Sequence, residues 1–290
     1  MRAEYTNITI DGNLLHRMTL LPDEGIECTA ACIFSHGQGD YGERYLDVLH
    51  PFTDRGIKCI VTDHQGHGRS TGKRGHIDST HFIDKVIANN LEAAGHLPTG
   101  IAGHSMGGLL TLRHLALSLQ GKLPTPDFCW VNAPLLYPGY GRPDWFIRLA
   151  NMLATVAPST TIHTGVKPEM CLLEDPSAGR LPKDPLSLGH RRVSIGWGSE
   201  LIRIAEFTQS TLHKSSFNRP FLFTQGGADS VCPEDKAHDF FSRLGWPSKQ
   251  YQCFPSMLHE TFAEPKRNEL FELIGRWIDE HTLAQQKAHT

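Results

Sequence analysis

The residues that could perform chemistry in this 290-residue chain begin with Gly103-His104-Ser105-Met106-Gly107, which Gly108 follows. The pattern G-x-S-x-G places a serine on a tight turn between a strand and a helix, with its hydroxyl projecting at the edge of a sheet. A short apolar run precedes the segment and a long one follows it, so the required context is present. The pattern therefore predicts that Ser105 is a nucleophile that forms a covalent acyl intermediate.

A serine hydroxyl is a weak nucleophile near neutral pH and needs a histidine base, which an acid holds in place. For a nucleophile of this type the chain order is serine, acid, histidine. Asp229 closely follows the apolar run at 221–227, and His259 follows the run at 251–258. We predict that His259 is the base and Asp229 the acid. Asp235 is a nearby rival for the acid, and Asp184 a remote one.

Acyl transfer passes through a tetrahedral intermediate whose developing negative charge is stabilised by backbone N–H groups. One N–H comes from the residue after the nucleophile, here Met106, and the other from the loop after the third strand. That loop is His36-Gly37-Gln38-Gly39, and we predict that Gln38 supplies the second N–H. We expect His36 to brace the loop rather than to contact substrate.

Apolar runs typical of strands alternate with helical patterns along most of the chain, after a hairpin around the turn at 11–13. Strands are predicted at 28–34, 57–61, 99–102, 127–131, 221–224 and 250–254, and helices at 43–54, 79–94, 106–119, 234–244 and 266–281. Such alternation predicts an α/β fold, with a mostly parallel central sheet and helices on both faces. Ligands bind at the carboxyl ends of the strands in these sheets, where the motifs above fall.

Residues 134–219 interrupt the alternation, are rich in proline and show no convincing strand pattern. We interpret them as a helical lid inserted into a core formed by residues 1–133 and 220–290. The clearest helix of the lid is predicted at 143–156, where apolar side chains recur at 3.6-residue spacing. This face either packs against the core or contacts acyl chains and lipid. In the second interpretation Trp145, Phe146 and Leu149 bind substrate and dock on a membrane.

The composition argues against several classes of protein. A formal net charge of -3, with no basic stripe, argues against a nucleic-acid partner. The N-terminus lacks the apolar segment of a signal peptide, and no apolar run reaches the roughly 20 residues that span a bilayer. The seven cysteines contain no CxxC pair and the 17 histidines no HExxH motif. We expect a soluble, cytoplasmic protein, at most peripherally attached to a membrane, with no disulfide framework, no metal and no cofactor.

The chain resembles the monoacylglycerol lipase and lysophospholipase group of α/β-hydrolases over nearly its whole length. The most specific part is Asp63-His64-Gln65-Gly66-His67-Gly68-Arg69-Ser70-Thr71-Gly72-Lys73-Arg74-Gly75, which is similar to that group's D-H-x-G-H-G-x-S-x-G-x-R-G segment. The loop at 36–39 resembles its H-G-x-G motif, and residues 226–232 resemble its G-x-A-D-x-x-C segment. The triad and oxyanion donors of the group correspond to the residues already chosen on chemical grounds.

The resemblance implies an enzyme that releases fatty acid from a monoacylglycerol or similar lysolipid, beneath a lid that forms an apolar acyl tunnel. It also places Cys232 near the site, either as a target of thiol reagents or as an inert buried thiol. The lid resembles the group weakly outside Asp184-Pro185-Leu186, and a short-chain carboxylesterase is the alternative. A serine at 105 argues against epoxide and haloalkane hydrolases, which use aspartate. A ligand-binding protein without turnover is the remaining alternative.

Overall fold

The structure, a computed structural model, describes residues 1–173, 184 and 186–281. The strands are β1 (Arg2–Ile10), β2 (Asn13–Leu21), β3 (Ala30–Ser35), β4 (Ile57–Thr62), β5 (Thr99–His104), β6 (Cys129–Asn132), β7 (Thr161–His163), β8 (Arg192–Ser194), β9 (Phe221–Gly226) and β10 (Lys249–Phe254). The helices are α1 (Leu46–Thr53), α2 (Thr80–Ala94), α3 (Met106–Leu119), α4 (Asp144–Ala154), α5 (Pro168–Cys171), α6 (Ile195–Leu212), α7 (Glu234–Ser242) and α8 (Arg267–His281).

Eight strands form one sheet in the order β1-β2-β4-β3-β5-β6-β9-β10. The neighbours from β4 to β10 pair in parallel, and β2 is antiparallel to both β1 and β4. The predicted α/β fold with a mostly parallel sheet is therefore confirmed. The parallel strands end at one edge of the sheet, where β3 and β5 are neighbours although β4 lies between them in sequence. A crevice forms where the strand order reverses in this way, and it is the usual ligand site of such folds.

Successive side chains of a strand point to opposite faces of the sheet, so each face has its own apolar layer. On β6, Trp130 lies in a cluster with Phe52 of α1 and Trp277 of α8. The next residue, Val131, lies in a second cluster with Leu112 of α3. Burying side chains of this size contributes about 1.5–3 kcal/mol each. The two layers hold the strand ends, and the residues that follow them, in fixed relative positions.

The described residues between 134 and 219 contain more regular structure than the sequence indicates. β7 and β8 pair as a two-stranded antiparallel sheet, so the expectation that this stretch contains no strand was wrong. Strands of three residues are too short to give a period of two. The 18-residue α6 was also missed, because Gly196 and Gly198 near its start are poor helix formers. Its buried side chains, including Trp197 and Leu201, pack with Met106 and Leu109 of α3, so tertiary packing stabilises this helix.

The helix predicted at 143–156 forms as α4, and none of its eleven residues is buried. Its apolar face is open: Trp145 is 65% exposed, Met152 is more than half exposed, and so is Val156, just beyond the end of the helix. The interpretation in which this face packs on the core is therefore wrong. In the part of the chain that the structure describes, no helix combines the length and apolarity needed to cross a bilayer. Residues 174–183 and 185 of the predicted lid lie outside that part, and the lid boundaries stay a prediction.

Candidate active site

Ser105 occupies the single-residue turn between β5 and α3. Its backbone has φ 54° and ψ -119°, a conformation that L-residues rarely adopt and that is found mainly at functional sites. The Ser105 N–H donates to the carbonyl of Asn132 at 3.0 Å. Its own carbonyl accepts from the N–H groups of Leu109 and Leu135, at 3.0 and 2.9 Å. These bonds hold the strained residue in place and direct its side chain outward at the sheet edge.

Two glycines beside Ser105 allow the sheet and helix to approach closely. A Cβ atom on Gly107 would lie 1.9 Å from the carbonyl oxygen of Ser35, at the end of β3. A Cβ atom on Gly103 would lie 2.4 Å from the carbonyl oxygen of Gly107. A side chain at either position would therefore push α3 away from the sheet and displace the serine. The glycines of the G-x-S-x-G pattern are explained by these backbone contacts.

His259 connects the serine to an aspartate. Its Nε2 atom lies 2.9 Å from Ser105 Oγ, and its Nδ1 atom lies 2.8 Å from Asp229 Oδ2. A carboxylate only accepts hydrogen bonds, so Nδ1 carries the proton and Nε2 is free to accept the proton of the serine. All three residues are buried. The structure thus brings the three predicted residues into one hydrogen-bonded chain.

The Asp229 carboxylate is held by four hydrogen bonds. Oδ1 accepts from the backbone N–H groups of Val231 and Cys232, both at 2.8 Å. Oδ2 accepts from the side-chain amide of Gln225 at 3.0 Å, in addition to His259. The carboxylate is therefore fixed in the orientation that the imidazole needs. Gln225 was not among the residues predicted from the sequence, although it lies near the end of β9, four residues before Asp229.

The rival acids have other partners. The Asp235 side chain is exposed on α7 and lies 3.6 Å from Lys236. Asp184 Oδ1 accepts from the hydroxyl of Tyr41 at 2.6 Å, and its Oδ2 accepts from the Gly189 N–H. Neither carboxylate is bonded to His259. The geometry therefore favours Asp229 as the acid.

The pKa of His259 is the balance of opposing effects. Burial disfavours the imidazolium ion and lowers the pKa, but the charge and hydrogen bond of Asp229 raise it. The nearby carboxylates of Glu260 and Asp40 raise it further, and the pKa ends above the ordinary histidine value. An imidazole that is a good proton acceptor and is stabilised once charged suits a general base.

Gln38 and Met106 follow the ends of the adjacent strands β3 and β5. In the described residues, neither backbone N–H donates a hydrogen bond to the protein, so both are free for a substrate oxygen. His36 is fully buried, its Nδ1 lies 2.8 Å from the Gly37 carbonyl, and its Nε2 accepts from the His64 N–H at 2.9 Å. These contacts support a bracing role for His36.

A polar network next to the triad was missed in the sequence. The Tyr45 hydroxyl accepts from the Gly37 N–H at 3.2 Å and donates to Asp40 at 2.8 Å. Arg44 bonds to Asp40 at 3.1 Å and to Glu260 at 2.6 Å. The network therefore joins the residue before Gln38 to the residue after His259. Only the four-residue spacing of Asp40 and Arg44 was visible in the sequence, because Glu260 lies 216 positions from Arg44.

A cavity of about 1040 Å³ opens beside Ser105 and is bounded largely by described residues that lie between Leu135 and Ile202 in sequence. Its apolar wall includes Leu135, Phe146, Ile147, Met170, Leu172 and Ile202. The three predicted substrate-binding residues differ in their position relative to this cavity. Phe146 lines the cavity, whereas Trp145 and Leu149 are exposed on the outer side of α4 and do not line it.

Asp229, Cys232 and His259 are the one group in the described residues whose ligand atoms, all within 4.8 Å of one another, could hold a metal ion. Asp229 and His259 are already bonded to each other. Burial, together with the charge of Asp229, raises the pKa of the Cys232 thiol well above its ordinary value. A cysteine binds a metal ion as the thiolate, and a raised thiol pKa disfavours the thiolate of Cys232. The environment is therefore better suited to proton transfer by His259 than to metal binding. It also favours the interpretation of Cys232 as an inert thiol.

A serine held on a strained strand–helix turn and hydrogen-bonded to a histidine–aspartate pair, on a mostly parallel sheet, defines a class of protein: serine hydrolases with the α/β-hydrolase fold. The chain belongs to the hydrolase family described as "Serine aminopeptidase, S33", whose model matches residues 27–266.

Individual relatives agree with this assignment. Phospholipase YtpA of Bacillus subtilis is 26% identical over 87% of this chain and 96% of its own length. The crystal structure of a monoacylglycerol lipase from Paleococcus ferrophilus matches with a TM-score of 0.79 and 26% identity, covering 92% of this chain and 99% of that one. An uncharacterized abhydrolase domain-containing protein of Dictyostelium discoideum is 28% identical over 97% of this chain, which spans 29% of that protein. The resemblance to the monoacylglycerol lipase and lysophospholipase group is confirmed.

Proposed function

We propose that this protein hydrolyses a monoacylglycerol or a similar lysolipid ester and releases the fatty acid through an acyl-enzyme. The observation that carries the proposal is the hydrogen-bonded chain Asp229–His259–Ser105 at the mouth of a large cavity with an apolar wall. The volume, about 1040 Å³, is at the upper end of the range for small-molecule sites. The names of the phospholipase and monoacylglycerol lipase relatives support the same substrate class.

In the first half of the reaction Ser105 Oγ attacks the ester carbonyl and His259 Nε2 takes the hydroxyl proton. Asp229 holds the tautomer and stabilises the imidazolium ion. The carbonyl oxygen becomes an oxyanion that accepts from the backbone N–H groups of Gln38 and Met106. Each donor contributes on the order of 3 kcal/mol to the stability of the transition state.

The second half of the reaction releases the products. The imidazolium of His259 protonates the leaving glycerol oxygen, the C–O bond breaks, and the acyl group remains on Ser105. His259 then removes a proton from water, which attacks the acyl-enzyme at the same carbonyl carbon. The fatty acid leaves and the serine regains its proton, so no metal or cofactor takes part.

Residues 134–219 act as the lid in this proposal, and α4 has two apolar sides. Phe146, Ile147 and Ala150 line the cavity. Trp145, Leu149 and Met152 recur on α4 at intervals of four and three residues and are exposed, as is Val156 just beyond the end of the helix. A helix with such an outer stripe suits a position in the interface of a lipid layer. We therefore propose peripheral membrane contact through the outer side of α4, so that substrate leaves the lipid layer close to the cavity.

The test is fatty acid release from 1-monooleoylglycerol by purified protein, with Ser105→Ala as the control. The proposal expects release by the native protein and none by the variant. A series of p-nitrophenyl esters of increasing acyl length then decides the alternative. A preference for butyrate over long chains, with no release from monooleoylglycerol, would assign a short-chain carboxylesterase instead.

The family description also suggests a peptide substrate with a free amino terminus. Such a substrate needs a carboxylate to bind its ammonium group. The Asp40 and Glu260 carboxylates in the cavity are both bonded to Arg44, and Asp184 is bonded to Tyr41. Because these carboxylates already have partners, the site favours an ester substrate over a peptide substrate. Turnover of aminoacyl p-nitroanilides faster than p-nitrophenyl esters would reverse this conclusion.

A further inference from the structure

We infer that Trp197 is a positioning residue for the oxyanion hole, which the backbone N–H groups of Gln38 and Met106 form. Trp197 lies in the predicted insertion, residues 134–219. The inference rests on the proposed ester hydrolysis and extends it. Trp197 lies in the first turn of α6, far in sequence from both oxyanion donors, and is 1% exposed. Its contacts make the geometry of the oxyanion hole depend on the insertion as well as on the sheet.

The indole N–H of Trp197 contacts the side chains of both oxyanion residues. Nε1 lies 3.2 Å from Gln38 Oε1 and 3.3 Å from Met106 Sδ. The backbone N–H of Gln38 belongs to the loop after β3, and that of Met106 belongs to the first residue of α3. One buried donor therefore links the two backbone segments that must aim at the same substrate oxygen.

The insertion holds the Gln38 loop at two further points. The Gln38 amide nitrogen donates to the Arg192 carbonyl at 2.8 Å, and the His190 N–H donates to the Gly39 carbonyl at 2.8 Å. Because the Gln38 amide faces a donor at its oxygen and an acceptor at its nitrogen, only one amide orientation satisfies both. The side chain and the following peptide are therefore fixed together.

Trp197 is itself fixed against the core. Its backbone N–H donates to Ser194 Oγ at 3.2 Å, which caps α6. The Ser194 N–H donates to the Gly75 carbonyl at 2.8 Å, and Ser194 Oγ also lies 2.7 Å from His76 Nδ1. The start of α6 is thus attached to the loop at 66–76, and the indole has a defined position from which to hold Gln38.

The expected effect follows from the geometry of catalysis. Oxyanion donors act on the transition state and not on the bound ester. A displacement of about 1 Å in a positioned group can cost about 100-fold in rate. Loss of the indole N–H leaves Gln38 Oε1 without its donor and allows the loop to shift. The rate constant kcat should therefore fall while KM is retained.

The experiment compares Trp197→Phe with Trp246→Phe. Trp246 is a matched control, because it is also buried and its Nε1 donates one hydrogen bond, to the Ser215 carbonyl at 2.9 Å, in a separate cluster. With a p-nitrophenyl ester, we expect Trp197→Phe to lower kcat about 10- to 100-fold, with KM within about twofold. The Ki of a trifluoromethyl ketone, whose adduct places an oxyanion in the hole, should rise by the same factor. Trp246→Phe should change neither.

A second variant, Gln38→Leu, removes the same contact from the other side at a half-buried position, together with the hydrogen bond from Gln38 to Arg192, and decides the question if Trp197→Phe does not fold. We expect it to show the same fall in kcat, and the double variant to be no worse than the poorer single variant. Native kcat and native Ki in Trp197→Phe, or in Gln38→Leu, would overturn the inference. If the native protein hydrolyses no ester and Ser105 is not labelled by a fluorophosphonate, the proposed function fails instead.

Discussion

His259 Nε2 lies 2.9 Å from Ser105 Oγ, although 154 positions separate the two residues. The distance is set by the sheet. Ser105 follows β5 and His259 follows β10, and both strands end at the same edge because β5, β6, β9 and β10 pair in parallel. The proposed chemistry of the protein therefore depends on the alignment of strand ends.

Replacement of the nucleophile should abolish turnover. Ser105→Ala removes the atom that forms the acyl-enzyme, and we expect kcat to fall by about 10⁶. The measurement is ester hydrolysis by purified protein, with folding checked by circular dichroism. Ser242→Ala, an exposed serine on α7, is the matched control. Residual activity near the native level in the Ser105 variant would contradict the assignment.

The acid should be Asp229 and not Asp235. Asp229→Asn keeps the shape of the side chain but favours the wrong tautomer of His259, and a fall in kcat of about 10⁴ is expected. Asp235→Asn should leave kcat unchanged because this side chain is exposed and paired with Lys236. Steady-state kinetics on both variants tests the assignment, and a larger loss at position 235 would reverse it.

The pH dependence should reveal the charges around His259. Only the neutral imidazole accepts a proton, so kcat/KM falls as the pH drops through the pKa of His259. That pKa is raised, in part by Glu260, so the acidic limb should lie above the ordinary histidine range. Glu260→Gln removes a negative charge and leaves the positive charge of Arg44 less neutralised. Both changes lower the pKa of His259. The limb should therefore move to lower pH.

The control for this pH experiment is Glu269→Gln, which makes the same charge change at an exposed site on α8. Its acidic limb should coincide with that of the native protein. An acidic limb that stays fixed or moves to higher pH in Glu260→Gln would show that Glu260 does not act on His259.

The outer side of α4 should bind lipid. Trp145→Ser combined with Leu149→Ser removes exposed apolar surface without altering the cavity wall. We expect less of the variant than of the native protein to co-sediment with phosphatidylcholine liposomes, while hydrolysis of a short soluble ester is retained. Tyr5→Ser, at another exposed aromatic residue on β1, serves as the control. Equal co-sedimentation of all three proteins would exclude this surface.

Much of this molecule could be predicted from the sequence. The G-x-S-x-G pattern, the strand–helix alternation and the order of Ser105, Asp229 and His259 gave the fold and the candidate triad. α3 has the predicted bounds, and most other elements agree within a few residues. These features are readable because turn geometry and side-chain periodicity are local properties of the backbone.

The tertiary structure decided the rest. Nothing in the sequence separates Phe146, which lines the cavity, from its neighbour Trp145, which is exposed, because both fit one apolar pattern on α4. The bond of Trp197 to Gln38 spans 159 positions. Such contacts have no local signal, because they depend on where the insertion packs against the sheet. The sequence by itself thus determined which groups could react, and the packing of residues 134–219 decided what surrounds them.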